Sequence, residues 1–158
     1  MIQIFMRLCS ILVVVSLLFL PGCGGKKLPE GMPKPTPTTL TILQDGAPLE
    51  GALVSLFPME AGSRWDGGGV TDSNGKAKMR TLGQYDGVVP GNYKVTVKKT
   101  FVPKPPEGLS SSEVREWLAT APPPTELVHK QFGTKETTPL DLKVDSSPVE
   151  ETFEVEKP

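Results

Sequence analysis

The chain has few of the residues that catalytic and disulfide-bonded proteins depend on. Its 158 residues include two cysteines, Cys9 and Cys23, and one histidine, His129. Both cysteines lie near the N-terminus, so no disulfide can cross-link the rest of the chain. A Ser-His-Asp triad would have to use His129, and a zinc site needs more ligands than one histidine supplies. These shortages predict a non-enzymatic protein without cofactor or metal, held together by its hydrophobic core.

An excess of positive charge is also missing. The chain carries 17 Lys and Arg against 18 Asp and Glu, for a formal net charge of −1. Proteins that bind nucleic acid usually show a basic stripe or a clear surplus of Lys and Arg. The composition therefore predicts no nucleic-acid partner.

The longest apolar run is too short to cross a membrane. It covers Leu8 to Leu20, thirteen residues, whereas a membrane-spanning helix needs about 20. A run of this length behind a basic head, here Arg7, is typical of a signal peptide with a small residue before the cut. The small residue is Gly22, and Cys23 follows it. Two alternatives are an uncleaved short anchor and ordinary secretion, with Cys23 inside the discarded peptide.

Leu20-Pro21-Gly22-Cys23 resembles the lipobox of bacterial lipoproteins, although Pro21 departs from its commonest form. The resemblance implies that Cys23 is lipidated on sulfur and becomes the mature N-terminus. Two acyl chains on one cysteine give lasting membrane attachment. Gly24, rather than Asp, implies sorting to the outer membrane of the cell envelope in cells that use that rule.

Three segments follow from this reading. Residues 1–22 are predicted to be the signal peptide, residues 23–37 the lipidated cysteine with a Gly/Pro/Lys tether, and residues 38–158 a folded domain. Within the domain, prolines flank an insertion at 103–126. This insertion holds the one helical pattern after the leader, near 110–120, where Ser110 and Glu113 have capping-box spacing.

The rest of the domain alternates like a series of short strands. Tyr93, Val95 and Val97 share one face of the clearest strand, with polar residues on the other. Asp72–Gly75 places Asn-Gly at a turn, which favours a hairpin between the flanking strands. Such spacing predicts an all-β antiparallel sandwich of about seven strands with one short helix inserted.

Several motifs occur in the order seen in carboxypeptidase regulatory-like domains. They are Gly51-Ala52, the turn over 71–76, and Pro90-Gly91-Asn92-Tyr93-Lys94-Val95. Gln131-Phe132-Gly133 and residues 137–140 resemble the closing motif of small lipoproteins built on that domain. The resemblance covers residues 38–156 and implies a transthyretin-like (prealbumin-like) sandwich that is usually non-catalytic.

Two functions remain open on the sequence. The first is a lipid-anchored envelope protein that displays its sandwich for structural, adhesion or protein-interaction roles, with an unknown envelope protein as partner. The second is a module that binds carbohydrate or another small ligand through exposed aromatic rings, on which sugars stack. Its candidate binding surface is Trp65, Tyr85 and Trp117.

Overall fold

The computed structural model describes residues 27–158. The predicted signal peptide and Cys23 lie outside the described residues. The described part contains twelve strands, one α-helix and one 3-10 helix. In chain order they are β1 (Thr38–Gln44), β2 (Ala47–Pro48), β3 (Leu53–Pro58), β4 (Gly67–Val70), β5 (Lys76–Lys78), β6 (Arg80–Thr81), β7 (Tyr85–Asp86), β8 (Gly91–Lys98), β9 (Thr100–Phe101), α1 (Ser111–Thr120), β10 (Thr125–Glu126), the 3-10 helix (Lys130–Gly133), β11 (Asp141–Val144) and β12 (Val149–Val155).

The strands form two main sheets, which confirms the predicted all-β sandwich. One sheet has the order β12-β1-β2, with β5 also paired to β1. The other has the order β11-β8-β3-β4-β6-β7, and β9 with β10 makes a separate small ribbon. Alternate residues of the longer strands point between the sheets and are excluded from water, because burying apolar area drives folding. The core contains Leu40, Ile42, Val54, Leu56, Tyr93, Val95, Val97, Leu142, Val144, Phe153 and Val155.

The first and last strands pair in parallel, unlike the rest of the fold. Thr38 lies opposite Val149 and Gln44 opposite Val155, along the whole length of β1. All the other strand pairs within the described residues are antiparallel. Parallel pairing is open to β1 and β12 because most of the domain lies between them in sequence and serves as the crossover.

The predicted Asn-Gly hairpin is wrong, although its turn forms. The Gly75 N–H donates to Asp72 O at 2.9 Å, which closes the turn. The flanking strands then separate: β4 pairs with β3 and β6 in one sheet, while β5 pairs with β1 in the other. The turn is held by β1 instead, since the Ile42 N–H donates to Gly75 O at 2.8 Å. It is therefore a crossing between sheets.

Strand β8 follows the predicted alternation at Tyr93, Val95 and Val97, which are all buried. At its start the Tyr93 hydroxyl donates to Val89 O at 2.6 Å, four residues back in the chain. Beta-sandwiches use such a tyrosine corner to fix the entry of a strand. Thr96, predicted to face water, is only 3% exposed. Both the 3-10 helix and the segment after it contact β8. The Thr138 hydroxyl from this segment donates to Val95 O at 2.6 Å.

The end of the predicted tether packs against the sandwich. Met32 is buried, and Thr36 forms an antiparallel bridge with Val88. The Thr36 hydroxyl also donates to Asp145 O at 2.8 Å. The fold therefore begins several residues before β1.

The predicted helix is confirmed as α1, with Ser110 as its N-cap. The Glu113 carboxylate accepts hydrogen bonds from the Ser110 N–H at 2.8 Å and the Ser110 hydroxyl at 2.5 Å. These two bonds lower the pKa of Glu113, because they favour its charged form. No residue of α1 is buried, so the helix rests on its own capping more than on packing.

Candidate functional site

The described residues form a groove beside β4. The chain leaves the first sheet after Lys78 and joins the second at Arg80, so β5 and β6 belong to different sheets. Between this crossing and β4 lies an open cavity of about 500 Å³. We name it the β4 groove; its lining residues are Leu53, Gly68, Gly69, Val70, Asp72, Lys76, Lys78, Arg80 and Gly83.

One wall of the β4 groove is apolar. Leu53 and Val70 lie directly opposite each other on β3 and β4. Leu53 is 49% exposed and Val70 is 60% exposed, the reverse of what burial favours for such side chains. Cross-strand apolar neighbours on an outer face offer a small hydrophobic contact area to a ligand.

The opposite wall is cationic. Lys76, Lys78 and Arg80 all line the groove and are exposed. Arg80 forms an ion pair with Asp86, with Nε 2.9 Å from Oδ1. Within residues 27–158, none of the four ion pairs includes Lys76 or Lys78. Neither ammonium group is in an ion pair among these residues, and the nearby Asp72 carboxylate offsets part of their charge.

Asp72 is the one acidic residue of the lining, and it is occupied by the turn. Its Oδ1 accepts hydrogen bonds from the backbone N–H groups of Asn74 and Lys76, each at 2.9 Å. The bond from Lys76, followed by that from Asn74, lowers the pKa of Asp72, so the carboxylate is ionised near neutral pH. Three cations and one anion leave the lining with a net positive charge.

Gly68 and Gly69 form the floor of the groove, and Gly67 precedes them on β4. The space available for a side chain differs among these three glycines. A Cβ at Gly67 would press on the Leu56 side chain at 3.2 Å. A Cβ at Gly69 would come within 3.0 Å of both Lys78 O and Met79 Sδ. A Cβ at Gly68 would meet only Val54 O at 3.6 Å, an ordinary contact distance. At Gly67 and Gly69 a neighbouring atom would have to shift by a few tenths of an ångström to admit a Cβ, whereas no atom opposes a Cβ at Gly68.

A smaller cavity of about 270 Å³ adjoins the β4 groove and shares Lys78 and Arg80 with it. Pro37, Thr38 and Thr39 border this cavity. Thr39 lies opposite Lys78 in the β1–β5 pair. The cationic wall therefore stands next to the place where the N-terminal segment enters the sandwich.

The three predicted aromatic residues lie on different parts of the fold. Trp65 precedes β4 and Tyr85 lies on β7, and both belong to the side of the sheet where β4, β6 and β7 are neighbours. The Arg64 guanidinium sits 4.8 Å from the centre of the Trp65 ring, a cation–π distance. Trp117 is on α1, in the inserted segment. All three side chains are half-buried.

The one histidine of the chain has a structural role. His129 caps the 3-10 helix, where its Nδ1 accepts from the Gln131 N–H at 3.4 Å. Among residues 27–158 no three His, Cys, Asp or Glu side chains cluster closely enough to hold a metal ion. In the same part of the chain, no helix combines the length and the apolar character needed to cross a membrane.

Sequence reasoning did not single out Gly68, Lys76, Lys78 or Arg80. The signal was visible in two places: three consecutive glycines just before a valine, and the alternating basic stretch Lys76–Arg80. Their meeting could not be read from the sequence, because it depends on the crossing between sheets.

No family model matches the chain, and no curated protein matches it either.

Proposed function

We propose that the chain is a bacterial lipoprotein that holds a non-catalytic β-sandwich at the cell envelope, where the sandwich binds a partner molecule. The observation that carries the proposal is Leu20-Pro21-Gly22-Cys23 at the end of a thirteen-residue apolar run. A run of this length suits a cleaved signal peptide, and a cysteine after the small residue suits lipidation. The outer membrane is the proposed location because Gly24 follows the cysteine.

The all-β fold is consistent with a carboxypeptidase regulatory-like domain of the transthyretin-like type, which we propose as its family. Such a domain serves display and interaction. The β4 groove supplies a surface for this role, because it presents apolar side chains together with a net positive charge.

The anchor is tested by feeding cells a labelled fatty acid and isolating three forms of the protein. Wild type should carry the label, and Cys23→Ser should lose it. Cys9→Ser is the matched control: it removes the other cysteine, which lies inside the predicted leader, and should keep the label. Label that persists in Cys23→Ser, or is missing from wild type, contradicts the lipoprotein proposal.

The second candidate function is carbohydrate binding, and the partial exposure of Trp65, just before β4, and of Tyr85, on β7, favours it. Arg64 occupies one approach to the Trp65 ring, so a sugar would have to displace it or use the other face. Tryptophan fluorescence of the full chain across a glycan panel tests this function, with Trp117→Phe to leave Trp65 as the reporter. Constant fluorescence with every glycan argues against it.

A further inference from the structure

We propose that the β4 groove binds an extended acidic segment of a partner protein. This inference deepens the binding role proposed above, but it does not depend on the lipid anchor. It rests on the shape of the groove, on its charge, and on the absence of a side chain at one position of its floor.

The shape suits a chain in extended conformation. Leu53 and Val70 lie opposite each other on β3 and β4, exposed on the outer face, and they border the open cavity of about 500 Å³. β5 runs close to β4 without pairing with it, since a Cβ at Gly69 would lie 3.0 Å from Lys78 O. The apolar pair therefore lies on one side of the groove and the lysines of β5 on the other. An extended segment can lie between these two rows of side chains.

The charge selects an acidic segment. Lys76 and Lys78 line the groove without an ion-pair partner among the described residues, while Leu53 and Val70 stand across from them. An extended peptide points successive side chains to opposite sides. Carboxylates on one side would meet the two lysines, and apolar side chains on the other would cover Leu53 and Val70.

The missing side chain at Gly68 also favours a ligand in the groove. Its backbone does not have a positive φ, and a Cβ there would meet only Val54 O at 3.6 Å. Glycine weakens a strand interior, and it commonly marks a point where a ligand or another backbone comes close. A side chain at this position would project into the groove from the outer face, since Gly67 and Gly69 face the interior. Absence of a side chain at Gly68 keeps the groove open.

A peptide is favoured over a sugar polymer as the occupant. The lining contains no aromatic ring for a sugar to stack on. It does contain apolar side chains that match those of a peptide. An anionic polysaccharide shares only the charge.

The test uses the purified full chain in detergent and a labelled peptide in which glutamate and valine alternate. Binding is followed by fluorescence anisotropy. Wild type should bind, and affinity should fall with added salt because the lysines are exposed. Lys76→Glu with Lys78→Glu should weaken binding about tenfold or more, since two attractions become repulsions. Gly68→Val should abolish binding while the thermal midpoint stays equal or rises, because valine suits a strand.

Lys143→Glu is the charge control, and it matches each single variant, Lys76→Glu or Lys78→Glu, in its change of net charge. Lys143 lies on β11, at the end of the sheet away from β6 and β7. Its Nζ already pairs with Asp145 at 3.3 Å. This variant should bind like wild type. Equal weakening in Lys143→Glu would show a general charge effect and overturn the proposal.

Three further outcomes also overturn it: wild type that ignores the peptide, wild type that binds only an anionic polysaccharide, and wild type that binds only vesicles of anionic lipid. Peptide binding that survives in Gly68→Val would show that the peptide binds elsewhere, and this result also overturns the proposal. Failure of the anchor is seen separately, because Cys23→Ser should lose the fatty acid label but keep peptide binding.

Discussion

Replacing Tyr93 with phenylalanine removes one hydroxyl from the corner where β8 begins. The Tyr93 hydroxyl donates to Val89 O at 2.6 Å, and the side chain is 2% exposed. Phenylalanine keeps the ring in the core but leaves the Val89 carbonyl without this donor. An unsatisfied buried group of this kind costs about 1–3 kcal/mol of unfolding free energy. For a domain of this size we expect the thermal midpoint to fall by about 4 °C for each kcal/mol.

Tyr85→Phe is the matched control. Tyr85 is half-buried on β7, and its hydroxyl makes no hydrogen bond among the described residues. Its loss should change the unfolding free energy by less than about 0.5 kcal/mol. Urea unfolding followed by circular dichroism compares the three proteins. A Tyr93→Phe variant as stable as wild type refutes the role given to the tyrosine corner.

The same substitution has a pH signature. Burial, followed by the nearby carboxylates of Glu60 and Asp66, raises the pKa of Tyr93 from 10.0 to about 12. Between these values the unfolded chain releases its proton while the folded protein keeps it, so wild type loses stability as pH rises. Phenylalanine has no proton to lose. The gap between wild type and Tyr93→Phe should therefore narrow from pH 10.0 to about 12, and a constant gap would contradict this reasoning.

Three other predictions use the same unfolding assays. Gly75→Ala should cost more than about 2 kcal/mol, because a Cβ there would lie 2.5 Å from Ile42 O at φ +71°; Gly46→Ala, at φ +75° with open space around it, should cost only about 1 kcal/mol. Glu113→Gln should speed hydrogen exchange within α1 without lowering the global midpoint, and wild type should lose the same protection as pH falls below the ordinary pKa of 4.5. Thr36→Val should cost about 1 kcal/mol by deleting the hydrogen bond to Asp145 O, and unchanged stability would mean that the N-terminal segment is not part of the fold.

Local sequence patterns predicted the buried faces of the strands better than they predicted which strands pair. The alternation of Tyr93, Val95 and Val97 placed the inner face of β8 correctly, since burial at every second residue needs no knowledge of neighbouring strands. The Asp-Gly turn after β1 also behaves as its residues favour: Asp45 and Gly46 both have positive φ, and β1 pairs with β2.

The Asn-Gly turn could be predicted from its residues, but the pairing of the strands on either side of it could not. Asp72–Gly75 forms a tight turn as its residues favour, yet the strands on either side join different sheets. What decides this is Gly75 O, which accepts from the Ile42 N–H of a strand more than thirty positions away in the chain. The β4 groove lies beside this crossing between the sheets. Eight of its nine lining residues fall within 68–83, yet the sequence does not show that β4, β5 and β6 border one cavity, because that depends on how the chain crosses between the sheets.

A lipid anchor on Cys23 would limit the distance between the sandwich and the membrane. Met32 is the first buried residue after Cys23 among those described, nine positions on (32 − 23), and nine residues span at most about 30 Å when extended. Thr36 is then fixed by Val88 and Asp145, and β1 follows at once. If Cys23 carries lipid, the sandwich is therefore held closer to the membrane than a free tether through residue 37 would hold it. The cationic wall stands beside the entry of this segment, because Thr39 lies opposite Lys78. A partner in the groove would then bind next to the point where the anchored segment enters the sandwich.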